Sequence, residues 1–528
     1  MTTQLTGQSF VAGHRTNGAG SEFRAMNPAE GSALDPGYFS ATLEEVDEAV
    51  RQAAEAFEIY AHASGKAKAA FLRRAADGLD AHKEELAERA NLETALPMPR
   101  LLGEAGRTSG QLRLFASVVE EGSWVNARID PALPDRQPAP RADIRSMLRP
   151  LGPVAVFGAS NFPMAFSVAG GDTASALAAG CPVIVKAHPA HPGSSEIAAQ
   201  ILTDAAAAEG LPRGVFSLLF DAGIDVGSAL VRHPLMRAVA FTGSLRAGRA
   251  LMDLAAARPD PIPCFAEMSS GNPVFVLPGA LRKGPAEFAK GLFGSFTLAA
   301  GQMCTKPGIV LVPESPETAT FLSALGKLVE AATPFTLLTS GIARAYAQGT
   351  KAQSVRTQTA AQAATVDHDG ACAANAQLFT ASLEELLATP SLAEEIFGPD
   401  TLLVRCDATS DYLRAARALD GHLTASIFGD DADLAENREL VRILEQKAGR
   451  LIFNGFPTGV EVNHSMVHGG PYPSTSDPRF TSVGSLAIYR FAKPVCFQGF
   501  PEAQLPPELQ NANPLGVRRL RDGKPEAL

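Results

Sequence analysis

The feature that most constrains this chain is a succession of short apolar runs, each followed by a helix-length segment, between Val154 and Ala257. Val154-Ala155-Val156-Phe157 ends in Gly158, and a helix of small residues is expected over Ala165 to Ala179. Pro182 to Val185 reads as the next strand, with a helix near Ser194 to Glu209. Val215 to Phe220 and Ala238 to Phe241 supply two more strands, the last leading into a helix near Ala247 to Ala257. Continuous apolar strands alternating with helices predict a parallel, doubly wound α/β sheet covered on both faces. Such sheets bind ligands in the loops at the C-terminal ends of their strands.

Those loops carry the polar residues of interest. Gly158 to Pro163 follows the first strand, Lys186-Ala187-His188 the second, and Thr242-Gly243-Ser244 with Gly248 the fourth. Glycines there let backbone approach a ligand, Ser244 offers a hydroxyl, and a helix start offers free amides, which together suit a phosphate. No GxGxxG accompanies them, so the usual dinucleotide fingerprint is absent. A simple turn would use the same residues.

A second alternating region follows Pro278. It holds Cys304, Ile309 to Val312, Glu394 to Pro399, Leu402 to Val404, Leu423 to Phe428 and Arg450 to Phe453, and reads as a second α/β domain. Upstream, Thr42 with Glu45 predicts a capped helix start, followed by helices near Lys66 to Asp77 and Lys83 to Leu92. Pro131 to Pro140 reads as a linker, and Asp143 to Leu148 as a strand leaving the main body. Ser485 to Phe491 alternates like an exposed strand that pairs with another subunit, and the tail from Pro501 is expected to be irregular. The expected division is 1–129 with 154–266 for one domain, 267–479 for the second, and 130–153 with 480–528 for an oligomerisation segment and tail.

The formal net charge of -10 argues against nucleic acid as a partner, because phosphate binding needs a basic face. The 6 cysteines are scattered, without paired spacing, which predicts reduced thiols and no metal site. Met1 to Ala12 lacks the form of a signal peptide and no apolar run reaches membrane-spanning length, so a cytoplasmic protein without a membrane partner is expected. Among the cysteines, Cys304 stands out beside Ala299-Ala300-Gly301, where a glycine would let a substrate approach a nucleophilic thiolate.

Taken together, Asn161 in an FxxxNFP loop, Phe241-Thr242-Gly243-Ser244, Glu267, Gly301 to Cys304 and Glu395 to Pro399 resemble the aldehyde dehydrogenase superfamily, in its order and at about its intervals. The resemblance runs from Asn27-Pro28 to Tyr489. It implies a Rossmann-like cofactor domain, an α/β catalytic domain and a β segment for assembly as a homodimer or homotetramer. By that resemblance Cys304 attacks an aldehyde carbon, with Asn161 and the Cys304 amide holding the oxyanion. Hydride then passes to a nicotinamide, and Glu267 is the general base for hydrolysis of the thioester. Ser269, Ser270 and Gly271 stand where the family pattern has two glycines and a lysine, which puts the loop conformation in question.

Glu395 resembles the carboxylate that holds the nicotinamide ribose, with Phe397 packed nearby. Lys186 is expected at the adenosine ribose. Pro189 replaces a glutamate found in many NAD users, so NADP is expected with NAD tolerated, helped by Lys186, His188 and Arg213. Within the superfamily, the strings Phe157 to Pro163, Val185 to Pro192 and His468 to Pro473 resemble bacterial 2-oxoglutarate semialdehyde (2,5-dioxovalerate) dehydrogenases. They also resemble an NADP-dependent fatty aldehyde dehydrogenase of luminous bacteria. A 2-oxo acid needs a cation for its carboxylate, for which Arg479, Lys306, His464 and His468 are candidates. A long chain would instead use Phe162, Phe166 and Phe456 as an apolar tunnel. A cysteine hydrolase built on Cys304 with His464 or His468 is the remaining alternative.

Overall fold

The computed structural model describes residues 4–363 and 372–526. Five parallel strands, β1 (Val154–Phe157), β2 (Val183–Lys186), β3 (Phe216–Leu219), β4 (Ala238–Thr242) and β5 (Cys264–Glu267), form the first sheet in the order β5-β4-β1-β2-β3. Two short strands, Phe10–Val11 and His14–Arg15, extend it beyond β3 in antiparallel fashion. Helices cover both faces, so β1 to β4 are buried almost throughout and can be apolar at every position. The winding reverses between β1 and β4, which opens a crevice between the loops that follow them.

The predicted cap at Thr42 is present: its side chain accepts from the Glu45 amide while Glu45 accepts from the Thr42 amide, at the start of α1 (Leu43–Tyr60). Helices α2 (Gly65–Ala81) and α3 (Lys83–Thr94) match the expected segments. The longest helix, α4 (Met98–Glu121), was not anticipated. It buries Leu101, Ala105, Leu112, Phe115, Ala116 and Val119, a stripe at helical spacing that was legible in the sequence. The helix expected from Ala165 begins only at Gly171. Residues 161–170 form a loop instead, whose Met164 and Ala165 amides both donate to Glu104 Oε1 at 2.9 Å.

The second sheet contains β6 (Val274–Val276), β7 (Ile309–Pro313), β8 (Gln377–Ser382), β9 (Asp400–Cys406), β10 (His422–Phe428) and β11 (Ala448–Phe453). They are parallel in the order β8-β9-β7-β6-β10-β11, with Gln358–Gln362 antiparallel on the β8 edge. A third sheet joins Ile144–Pro150 to Ala492–Gln498, which forms one of its edges. The strand expected at Ser485 to Phe491 is a 3-10 helix. Its Ala487, Ile488 and Phe491 pack into the core of the first sheet at helical spacing, and the strand starts only at Ala492. No helix among the described residues is long and apolar enough to cross a membrane.

Arg490 ties this late segment to the first domain by a buried ion pair with Asp172, 2.8 Å apart. Removing one partner of a buried pair strands the other charge. Arg490→Leu should therefore lower unfolding stability by about 3–5 kcal/mol, read as a fall in the urea midpoint.

Candidate active site

Cys304 sits between a helix, Pro285–Thr297, and β7. Ala299, Ala300 and Gly301 are all left-handed, at φ 54, 58 and 69°, and swing the chain back across the crevice. A Cβ on Gly301 would lie 2.0 Å from the Gly398 carbonyl oxygen. The glycine therefore admits the backbone of the Glu395 loop, and not the substrate as the sequence suggested. Asn272, left-handed at φ 46°, clamps the other side of the turn. Its amide donates to the carbonyls of Cys304 and Lys306 at 2.8 and 2.9 Å, and its oxygen accepts from Ser270 and Thr424, both at 2.9 Å. The unusual Ser270 is thus a working part of the loop, since its hydroxyl also takes the Leu423 amide.

Glu267 ends β5 inside the protein. Its Oε1 lies 2.9 Å from His468 Nε2, and its Oε2 accepts from the Ser482 hydroxyl. His468 Nε2 is also 3.5 Å from the Cys304 sulfur, and the three groups place their polar atoms within 4.8 Å of one another. Burial pushes the Glu267 carboxyl up, but His468, Ser482 and Cys304 outweigh it and hold the group below its ordinary value. Burial, reinforced by the charges of Glu267 and Glu395, drives the Cys304 thiol well above its ordinary value, with Arg107 opposing.

His468 Nδ1 is shielded and has no partner among the described residues. A buried N–H without an acceptor costs more than an unused lone pair, so Nε2 is the ring nitrogen whose N–H meets an acceptor, Glu267. Asn161 lies against the same turn, its amide donating to the Gln302 carbonyl at 3.0 Å with a second hydrogen to offer. Phe162 and Phe166 stack edge to face at 5.2 Å and pack with Met303 and Val483 beside the cysteine.

A cleft of about 590 Å³ opens beside these groups, lined by Ser244, Arg246, Arg249, Ser269, Glu394 and Glu395. Burial raises the Glu395 carboxyl to about 7, against the opposing effects of Lys306 and a Ser269 hydrogen bond. Ser244 caps α5 (Leu245–Ala256) by accepting from Ala247. The Gly243 amide is committed to Glu267 and the Gly248 amide to Ser244, while Gly248 presses on Met268, so neither glycine has a free N–H for a phosphate. Lys186 is at the C-terminal end of β2, donating to the Asp221 carbonyl at 2.7 Å, and burial lowers it to about 8. His188 is held neutral by burial and stacks on His191. Phe397 is half-buried in the Glu395 loop.

Several expected residues are elsewhere. Arg213 precedes β3 at its N-terminal end, against His14, while Lys186 pairs with Leu219 at the other end. Parallel strands keep those ends apart, so Arg213 is not brought to the groove. Arg479 is exposed and paired with Asp477. Lys306 is buried in an ion pair with Asp400 at 2.7 Å and donates to the Ile396 carbonyl. His464 is exposed, and Phe456 packs on Phe428 and Phe288 in the core of the second sheet. Ser482 and the α4 side chains Arg100 and Arg107, near Phe162 and Phe166, were not anticipated.

This fold and this arrangement of cysteine, glutamate and asparagine are accompanied by a match of residues 15–489 to the aldehyde dehydrogenase family, and the chain belongs to it. It is 48% identical over 528 residues to alpha-ketoglutaric semialdehyde dehydrogenase 2 of Azospirillum brasilense, covering 99% of this chain and 100% of that one. It is 44% identical over 526 residues to alpha-ketoglutaric semialdehyde dehydrogenase of Acinetobacter baylyi, covering 99% of each. A gamma-glutamyl-gamma-aminobutyraldehyde dehydrogenase from Burkholderia cenocepacia shares the fold, at TM-score 0.81 and 22% identity over 94% of this chain and 97% of that one.

Gly301→Ala tests the turn. The added methyl meets Gly398 in a left-handed backbone, so folding stability should fall by about 1–3 kcal/mol or more in urea titrations. An unchanged midpoint would remove the steric argument.

Proposed function

We propose that this chain oxidises 2-oxoglutarate semialdehyde to 2-oxoglutarate with a nicotinamide dinucleotide as electron acceptor, NADP preferred and NAD accepted. The observation that carries the reading is the buried cluster of Cys304, Glu267 and His468 beside the Asn161 amide. The substrate assignment draws on the two alpha-ketoglutaric semialdehyde dehydrogenases that it matches over nearly full length. The cofactor fits the cleft, where Glu395 offers a carboxylate to sugar hydroxyls and α5 offers its N-terminus. Pro189 presents no carboxylate against a 2′-phosphate, and Lys186 supports the preference from the end of β2.

In the chemistry, the Cys304 sulfur bonds to the aldehyde carbon while its proton passes to Glu267. The oxyanion formed accepts hydrogen bonds from the Asn161 amide and the Cys304 backbone N–H. The bound dinucleotide supplies a hydride acceptor, leaving the acyl group on the sulfur. After releasing the cysteine proton to solvent, Glu267 takes a proton from water as it attacks the thioester, and the carbon–sulfur bond breaks with that proton returning to the Cys304 sulfur and release of the acid. His468 holds Glu267 in place through its Nε2–H. We further propose assembly as a homodimer or homotetramer through the free edge of Ala492–Gln498.

Steady-state reduction of NADP and NAD should favour 2-oxoglutarate semialdehyde over pentanal and long-chain aldehydes. Cys304→Ala should abolish it, and Glu267→Gln should lower turnover by roughly 10²–10⁴. A long-chain preference would refute the substrate, and an active Cys304→Ala the mechanism.

Cofactor affinity should follow the ionisation of Glu395. A charged carboxylate accepts from ribose hydroxyls more strongly than a protonated one, so Kd should weaken as pH falls through about 7 and become pH-independent in Glu395→Gln. A wild-type Kd that is flat from pH 6 to 8 would take Glu395 out of the cofactor site.

A further inference from the structure

Arg100, Glu104 and Arg107 follow one another at about one-turn spacing on α4, so they share a face of that helix. The Arg100 guanidinium carbon lies 4.9 Å from the Phe162 ring, and that of Arg107 lies 5.1 Å from Phe166 and 5.8 Å from Phe162. Phe166 is in turn 6.4 Å from the His468 ring, and His468 touches Cys304. The two arginines therefore border the phenylalanine-lined approach to the nucleophile. Burial lowers the Arg107 guanidinium from its ordinary value, opposed by the charges of Glu104, then Cys304, Glu267 and, least, Glu461.

Their donors are largely unused. Arg100 Nη2 donates to the Asn161 carbonyl at 2.8 Å, but its Nη1 is shielded from water without a partner among the described residues. Arg107 Nε and Nη2 are shielded and unpartnered as well. These two atoms form the side edge of the guanidinium, whose parallel N–H groups match the two oxygens of a carboxylate. Glu104 does not fill the role: its Oε1 holds the Met164 and Ala165 amides, and its Oε2 has no partner. Two cations thus face one carboxylate, with three shielded N–H-bearing nitrogens idle. Leaving such donors unpaired is costly, and burying a charged one more so.

We propose that Arg107, seconded by Arg100, is the subsite for the carboxylate of a 2-oxo acid semialdehyde, gripping it through Nε and Nη2 while Phe162 and Phe166 flank the methylenes. The assignment rests on the proposed substrate class and names what recognises it. A long-chain aldehyde would bring apolar carbons to the same donors and leave them unpaired, so the site discriminates against it as well as for the semialdehyde. Arg100 also links this recognition to the oxyanion donor, since it holds the backbone of Asn161.

The test compares kcat/KM for 2-oxoglutarate semialdehyde and pentanal in the wild type, Arg107→Leu and Arg107→Lys. The expected result is a wild-type preference for the semialdehyde that falls roughly 10²–10³-fold in Arg107→Leu, mostly through KM. Pentanal turnover in the same preparation reports that the variant is folded. Calorimetric titration of 2-oxoglutarate into Cys304→Ala should give binding that is lost on adding Arg107→Leu. Should Arg107→Leu not fold, Arg107→Lys carries the test: it keeps the charge, loses the fork, and should cost the semialdehyde about tenfold relative to pentanal. If the wild type prefers the semialdehyde and the ratio survives in these variants, the subsite is overturned while the substrate reading stands. Equal loss of both substrates makes Arg107 structural and overturns it too. No wild-type preference at all overturns the substrate reading, and the ligand assigned to the arginines with it.

Discussion

The buried carboxylate of Glu267 is the interaction on which the rest of this structure depends. A lone charge in the interior costs several kcal/mol, and it persists only where hydrogen bonds replace its water. Here the replacement comes from two distant parts of the chain: Cys304 from the turn before β7, and His468 and Ser482 from the long segment after β11. The residues that satisfy the buried carboxylate are therefore the ones that hold the two sheets and the late segment in register. The main-chain bridge between Glu267 and Thr475 ties the same junction again.

Around that charge, backbone approach decides geometry. Gly301 lies under Gly398, and Asn272 holds the carbonyls on either side of Thr305. Lys306, buried with Asp400 and bonded to the Ile396 carbonyl, fixes the Glu395 loop from the cysteine side. The turn that carries Cys304 and the loop that carries Glu395 are thus packed and hydrogen-bonded to each other. Chemistry on the sulfur and binding in the neighbouring cleft share a frame, so a small shift in one is felt in the other.

Legibility from sequence followed the range of the forces involved. The strands from Val154 to Thr242, the Thr42 capping box and the helices to Thr94 depend on local periodicity and capping, and these could be read directly. Helix α4 carried an equally regular apolar stripe, yet Pro97 at its start and the internal Gly103, Gly106 and Gly110 diluted the signal. At Ser485 to Phe491 a period of two was taken from residues whose burial follows a helical turn, because Ile488 and Phe491 meet a core supplied by another part of the chain.

The sequence by itself determined the parallel α/β plan and brought Cys304, Glu267, Asn161 and Glu395 forward as candidates, since motif chemistry and strand periodicity are local properties. Only the tertiary structure decided which charges are free to act. Lys306 and Arg479 looked available and are committed to Asp400 and Asp477, and Arg213 sits at the wrong end of β3. Arg107, unremarkable in a helix, keeps its guanidinium edge unpaired beside Phe166. Whether a cation is spent or available depends on partners brought together by folding, and no spacing along the chain records them.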